Sequence, residues 1–263
     1  MKADAGLVVQ LAIWAGQHAL PLFFLLLTLL LAATVAGWWF LLRAGSPRPA
    51  IGRRLAAGIF IILAGAAVFA GLATQLGAAQ ALVRADQALT DALDTSVAPL
   101  TQQVFAALTH LADTATLTVL CIGMAIVLIA RRRRGLALGW VVALAGNGLL
   151  NQTLKQMVGR ARPLEQHNMV QATGLSFPSG HSSGAVVAYG MLGYLALRLL
   201  PRRWQLPTLL VAVTLAFTVG ASRLLLRVHF ASDVLAGFAS GTAWLALCIT
   251  GVELVRWWRS GRA

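Results

Sequence analysis

This sequence has little charge, and little of that is negative: of 263 residues 11% are charged, and only eight are Asp or Glu. With 59% apolar residues and a mean hydropathy of +0.78, that scarcity excludes a water-soluble globule and leaves a membrane protein. Cysteine is nearly missing as well. Cys121 and Cys248 both lie inside apolar runs, which excludes a disulfide framework and a four-ligand zinc site. What the chain does carry is a net charge of +13. In a soluble protein such an excess points to nucleic acid or another acidic partner. Here the position of each cation decides what it means.

A bilayer core of roughly 30 Å needs about 20 apolar residues of helix. Seven stretches free of Lys, Arg, Asp and Glu fit that need: Leu20–Leu42, Leu55–Val83, Thr114–Ala130, Gly135–Leu154, Ser182–Leu197, Leu206–Ser222 and Val234–Val252. The third is short and borrows from Val104–Leu111, while residues 6–18 read as a helix lying in the interface. Lys2 ahead of an apolar run resembles a secretion signal. The uncharged stretch runs on to Leu42 without a convincing cleavage site, so a retained anchor is expected.

Basic residues collect in cytoplasmic loops. Arg43, Arg48, Arg53 and Arg54 follow the first span, Arg131–Arg134 the third, and Arg198, Arg202 and Arg203 surround the end of the fifth. Arg256, Arg259 and Arg262 follow the seventh. All four groups therefore fall on one face, the cytoplasmic one, and the opposite face carries Asp86, Asp91, Asp94 and Asp113. Seven cations stay outside this scheme: Lys2, Arg84, Lys155, Arg160, Arg162, Arg223 and Arg227. Five of them crowd two segments of the outer face, where an ionisable group is costly unless it snorkels or faces a polar cavity.

Those segments have a pattern. Lys155-Gln-Met-Val-Gly-Arg-Ala-Arg162-Pro163 precedes Phe177-Pro178-Ser179-Gly180-His181 at the start of span five. Ser222-Arg223-Leu-Leu-Leu-Arg-Val-His229-Phe-Ala-Ser-Asp233 leads into span seven. The three stretches resemble the K-x6-R-P, P-S-G-H and S-R-x5-H-x3-D signatures of the type 2 phosphatidic acid phosphatase superfamily, at every fixed position. The arginine topology, set by residues elsewhere, puts all three on the same outer face, as a common site requires. The resemblance covers roughly residues 100–250. It implies an all-α, polytopic transmembrane helical bundle with a six-span phosphatase core, to which the first span is an N-terminal addition. On that reading residues 1–54 are the interfacial segment, extra span and basic loop, 55–255 the core, and 256–263 a basic cytoplasmic tail.

The residue types suit phosphoryl transfer, which needs a positioned nucleophile, dense positive charge and an acid for the leaving oxygen. His229 and Asp233, four apart, share a helix face, so the carboxylate can orient the imidazole. Ser179 and Gly180, at a helix start, can offer N–H groups to an anion, and Ser179 its hydroxyl. With no Asp or Glu in that segment, His181 is the candidate acid. Lys155, Arg162 and Arg223 are the candidate phosphate holders. The resemblance implies the same roles, with a phosphohistidine on His229. No cluster has metal-ligand spacing, so neither metal nor cofactor is expected, and Pro163 reads as a backbone constraint.

Leu225, Arg227 and Ala231 stand where many relatives carry an aromatic, a small residue and a proline. Arg227 either snorkels or adds a cation for a larger headgroup; Glu165 and His167, in the loop 164–175, are the other candidates for headgroup selection. The expected activity is metal-independent hydrolysis of a lipid phosphate or diphosphate within the bilayer, with no nucleic acid involved. Undecaprenyl diphosphate, phosphatidylglycerol phosphate and phosphatidic acid are the candidate substrates, at the periplasmic or extracellular face of a bacterial cytoplasmic membrane. Lipid-to-lipid phosphotransfer and a non-catalytic anionic-lipid binder or transporter are the alternatives.

Overall fold

The computed structural model describes residues 2–43, 51–77, 80–163 and 173–260, and these are all-α. The order is α1 (Lys2–Gln17), α2 (Ala19–Arg43), α3 (Ile51–Thr74), α4 (Ala81–Ser96), α5 (Pro99–Thr109), a 3-10 turn (His110–Ala112), α6 (Thr114–Ala130), α7 (Arg134–Val158), α8 (Gly180–Leu199), α9 (Arg202–Leu225) and α10 (Ala231–Ser260). Each of the seven expected spans corresponds to one of the longer helices. Span two ends earlier than its apolar letters do: Gln75 and Leu76 close α3 with tight turn bonds to Leu72 and Ala73, and Ala81–Val83 begin the separate α4. Span three does borrow from upstream, since α5 with its 3-10 turn and α6 pass as one span broken by a 42° bend.

Among the described residues α2, α3, α9 and α10 are individually long and apolar enough to cross a membrane. α7 and α8 carry buried polar residues where they face each other: Asn147 and Asn151 of α7 each donate to Ser183 Oγ of α8, at 3.4 and 3.3 Å. The distribution is the reverse of a soluble fold. Phe24, Leu63, Val119, Leu138 and Leu149 are exposed, while Ser179, Ser182, Ser222, Arg223, His229 and Asp233 are buried. Lipid satisfies the outer apolar surface, and buried polar groups must find partners inside.

Three apolar clusters hold the bundle. Trp140, Met191 and Leu128 join α6, α7 and α8; Phe23, Leu93, Phe105 and Val228 tie the N-terminal span to the outer helices; Ala185, Tyr189 and Val219 seal α8 on α9. α1 and α4 pack together, with Gly16 against Ala92, and leave Leu7, Leu11 and Trp14 exposed as an interfacial helix would. At one end of the bundle Glu253 receives Arg54 (2.9 Å), Tyr194 Oη (2.6 Å) and Arg198 (3.5 Å). At the other end lie the close of α7, the start of α8, the close of α9 and the start of α10, which carry the three motifs.

Two glycines build that end. Gly159, with φ +68°, terminates α7 in the left-handed conformation and turns the chain into the Arg160–Arg162 segment. Gly237 of α10 lets Ser179 approach so closely that a Cβ there would stand 2.6 Å from the Ser179 carbonyl oxygen and 2.9 Å from Ser182 Cβ. Gly237→Ala must push α8 away from α10. The expected cost is about 1–3 kcal/mol, read as a lower thermal midpoint in detergent, with a parallel fall in kcat because the same shift moves His181. An unchanged midpoint would show that this contact has slack.

Candidate active site

The loop after α9 places His229, and the α10 N-terminus places Asp233 behind it. His229 Nδ1 lies 3.4 Å from Asp233 Oδ2 and 3.2 Å from Ser176 Oγ. Ser176 donates its own proton to Asp233 Oδ2 at 2.5 Å, so its oxygen accepts from the imidazole and passes the contact on to the carboxylate. The other ring nitrogen meets a guanidinium: Arg162 Nη1 donates to His229 Nε2 at 3.0 Å. A guanidinium has no acceptor, so Nε2 holds the lone pair and Nδ1 the proton. Burial and the Arg162 charge push this imidazole's pKa down to about 3, against the opposing pull of Asp233. The ring is therefore neutral at physiological pH, oriented with its lone pair beside Arg162.

Asp233 is fully buried and fully engaged. It accepts from Phe230 N–H (2.9 Å), from Ser176 and from Arg160 Nη1 (2.7 Å). Arg160 also donates to Ser232 Oγ (2.7 Å) and, through Nη2, to Asp86 of α4 (2.8 Å), and its guanidinium stacks on Phe230 at 4.2 Å. Asp86 in turn accepts from the Ser232 N–H at 3.1 Å and from its hydroxyl. The sequence marked Arg160 as a cation without a topological reason and Asp86 as outer-face acid, but their pairing joins positions 74 residues apart. Ser176 carried no signal at all.

Around His229 opens a cavity of about 830 Å³. Lys155, Arg162, Gly180, His181, Arg223 and His229 line it, together with His110 and Asp113. Lys155, in the last turn of α7, donates to the Leu175 carbonyl and, at 3.5 Å, to that of Ser176. Arg162 also donates to the carbonyls of Val228 (2.8 Å), Gly174 (3.1 Å) and Thr173 (3.1 Å), which ties the first motif segment to the third and to the chain just ahead of the second. Arg223 donates through Nη1 to Thr109 Oγ1 at 2.8 Å, and its buried Nε has no acceptor among the described residues. From this polar end the cavity continues between α6 and α7, along Leu117, Cys121, Ile122 and Leu144 with Thr118, Asn147 and Gln152 among them.

Two expectations meet a different arrangement. Ser179 does not line the cavity: its hydroxyl caps α8, accepting from Ser182 N–H (3.4 Å) and Oγ–H (2.9 Å), and its own N–H donates to the Asp233 carbonyl (3.0 Å). The N–H groups left open at this helix start are those of Gly180 and His181. Arg227, at φ +57°, turns away to pair with Asp94 of α4 and is not among the cavity's lining residues. Headgroup candidates Glu165 and His167 lie outside the described residues.

Residues 135–257 match the family model of the PAP2 superfamily. Over 163 residues, 61% of this chain and 80% of the relative, the chain is 31% identical to phosphatidylglycerophosphatase B of Bacillus subtilis (strain 168). Over 119 residues, 42% of this chain and 44% of the relative, it is 34% identical to a lipid A 1-phosphatase of Rhizobium johnstonii. A crystal structure described as the first transmembrane PAP2-type phosphatidylglycerolphosphate phosphatase from Bacillus subtilis aligns with a TM-score of 0.70 at 28% identity, covering 74% of this chain and 98% of that one. With both imidazoles and three motif cations gathered at one cavity, the chain belongs to the PAP2 superfamily and is a multi-pass membrane phosphatase of that family.

Proposed function

We propose that this protein hydrolyses a lipid phosphomonoester at the outer face of the cytoplasmic membrane through a phosphohistidine on His229, without a metal. The observation that carries the reading is the state of His229: Nδ1–H turned to Asp233 and Ser176, and a lone pair on Nε2 beside Arg162 at the floor of the cavity. Attack needs the Arg162 donor to pass from Nε2 to a phosphate oxygen. The Nε2–P bond then forms as the P–O bond to the lipid breaks, and His181 gives its proton to the leaving oxygen. Water next attacks phosphorus, His181 takes its proton, and the N–P bond breaks to release phosphate. Lys155, Arg162 and Arg223 neutralise the equatorial oxygens, with Arg223 Nε and the Gly180 N–H as further donors.

A lipid substrate suits the part of the cavity between α6 and α7, where tails can remain in the bilayer while the headgroup enters the cationic end. The arginines at the far end of the bundle favour an outward-facing site. Phosphatidylglycerol phosphate is the leading substrate, because the Bacillus subtilis relative bearing that activity in its name aligns over 80% of its length. Lipid A 1-phosphate, undecaprenyl diphosphate and phosphatidic acid complete the panel. Purified protein in detergent with excess chelator is expected to release phosphate fastest from phosphatidylglycerol phosphate, and sub-millimolar vanadate, which mimics five-coordinate phosphorus, is expected to inhibit. Activity that requires an added divalent cation, or insensitivity to vanadate, would overturn the mechanism; a different ranking would overturn the substrate.

A further inference from the structure

The phosphoryl-transfer steps employ His181 but leave the carboxylate it touches without a task. Asp113 stands at the bend between the 3-10 turn and α6, far in sequence from the three motifs. Its Oδ1 lies 2.7 Å from His181 Nε2 and its Oδ2 2.6 Å from His110 Nδ1. Among the described residues lining the cavity it is the one carboxylate, in the company of Lys155, Arg162 and Arg223. A carboxylate in a phosphate pocket repels the substrate, so its presence there needs a compensating use.

The geometry gives one. An ionised carboxylate only accepts, so His181 must present Nε2–H to Asp113, and Nδ1 is the nitrogen left for a leaving oxygen. To act as an acid the ring must carry both protons amid three other cations, a state that the adjacent negative charge favours. The bend itself is held: Tyr189 Oη of α8 donates to the Leu111 carbonyl at 2.8 Å, and Thr116 Oγ1 to that of His110 at 2.7 Å. His110, exposed at the rim, fixes the second carboxylate oxygen.

We infer that Asp113 is a positioning residue for the acid half of the reaction, holding the His181 imidazolium with Nδ1 toward the leaving oxygen, as Asp233 holds His229 for the nucleophilic half. The inference rests on the assignment of His181 as the acid. It is tested with two phosphate esters of the full-length protein in detergent: phosphatidylglycerol phosphate, whose alkoxide must be protonated as it leaves, and an alkylated 4-nitrophenyl phosphate, whose phenolate need not be. The readout is kcat/KM, which reports bond cleavage and not the later hydrolysis of the phosphoenzyme. Asp113→Asn is expected to lower kcat/KM on the lipid by roughly 10²-fold and on the aryl ester by no more than about threefold, the latter also showing that the variant folds. Asp113→Glu is expected to recover part of the lipid rate. His181→Asn should give the same split. If it does and Asp113→Asn loses both substrates equally, or neither, the inference on Asp113 is wrong and the acid assignment stands. If His181→Asn gives no split, both fall.

Discussion

Replacing His229 by alanine is expected to eliminate phosphate release, with kcat falling by on the order of 10⁴-fold or more, as when the nucleophile of a triad is removed. The variant is also expected to fold. Because burial and Arg162 push the imidazole's pKa down to about 3, the native ring is neutral and its loss strands no charge. The sign of the pH effect follows. The folded pKa lies below the unfolded value of about 6.5, so His229 contributes stability that is fully present above about 6.5 and is lost as the pH falls toward the folded pKa. His229→Ala should therefore lose thermal stability less steeply than wild type on acidification. Trapping with radiolabelled substrate checks the chemistry: wild type should yield an acid-labile phosphoprotein and the variant none. A variant that keeps more than about a tenth of the wild-type rate would falsify the nucleophile assignment.

The largest effect on stability is expected from Arg160→Met. Arg160 is 10% exposed and bridges Asp86 and Asp233, which are 2% and 0% exposed. Without it two buried carboxylates face each other across Ser232 with no cation between them. Breaking such a pair from one side costs about 3–5 kcal/mol. The thermal midpoint in detergent should fall accordingly, and kcat with it, since Asp233 loses one of the bonds that hold it behind His229. Asp86→Asn added to Arg160→Met leaves a single buried carboxylate and should recover part of the midpoint. A midpoint unmoved by Arg160→Met would mean that water reaches these carboxylates and that the bridge contributes little.

This bridge also gives the outer helices a function. α4 brings Asp86 to Arg160 and Asp94 to Arg227, so a segment outside the three motifs braces the loops that carry Arg160 and His229. α1 packs on α4, and Phe23 of α2 joins the cluster around Val228, next to His229. The N-terminal helices are thus continuous with the packing that positions His229.

Much of the molecule was legible in the letters because the signals are local. An apolar run of about 20 residues must be a helix in a bilayer, and clusters of arginine orient the spans. The spacing of His229 and Asp233 brings them together wherever the segment is helical, and Ser179-Gly180 at a helix start read as donors of N–H groups to an anion. The sequence alone therefore determined the membrane class, the long helices, the gathering of the motifs at one end of the bundle and the inventory of imidazoles and cations.

Only tertiary packing decided how that inventory is wired. Ser179 reads as an anion donor in isolation, yet α10 approaches so closely at Gly237 that the Asp233 carbonyl takes its N–H. Arg227 reads either as a snorkelling residue or as a fourth phosphate cation, yet α4 lies beside it and supplies Asp94. Ser176 completes the His229–Asp233 contact from 53 residues away, and Asp113 reaches His181 across 68. A hydrogen bond carries no sequence signature when its partners sit on different helices, because the angle and offset of those helices are set by many apolar contacts at once. The composition announced an excess of positive charge; the packing determined which of those cations line the cavity and which are held by the chain's few carboxylates.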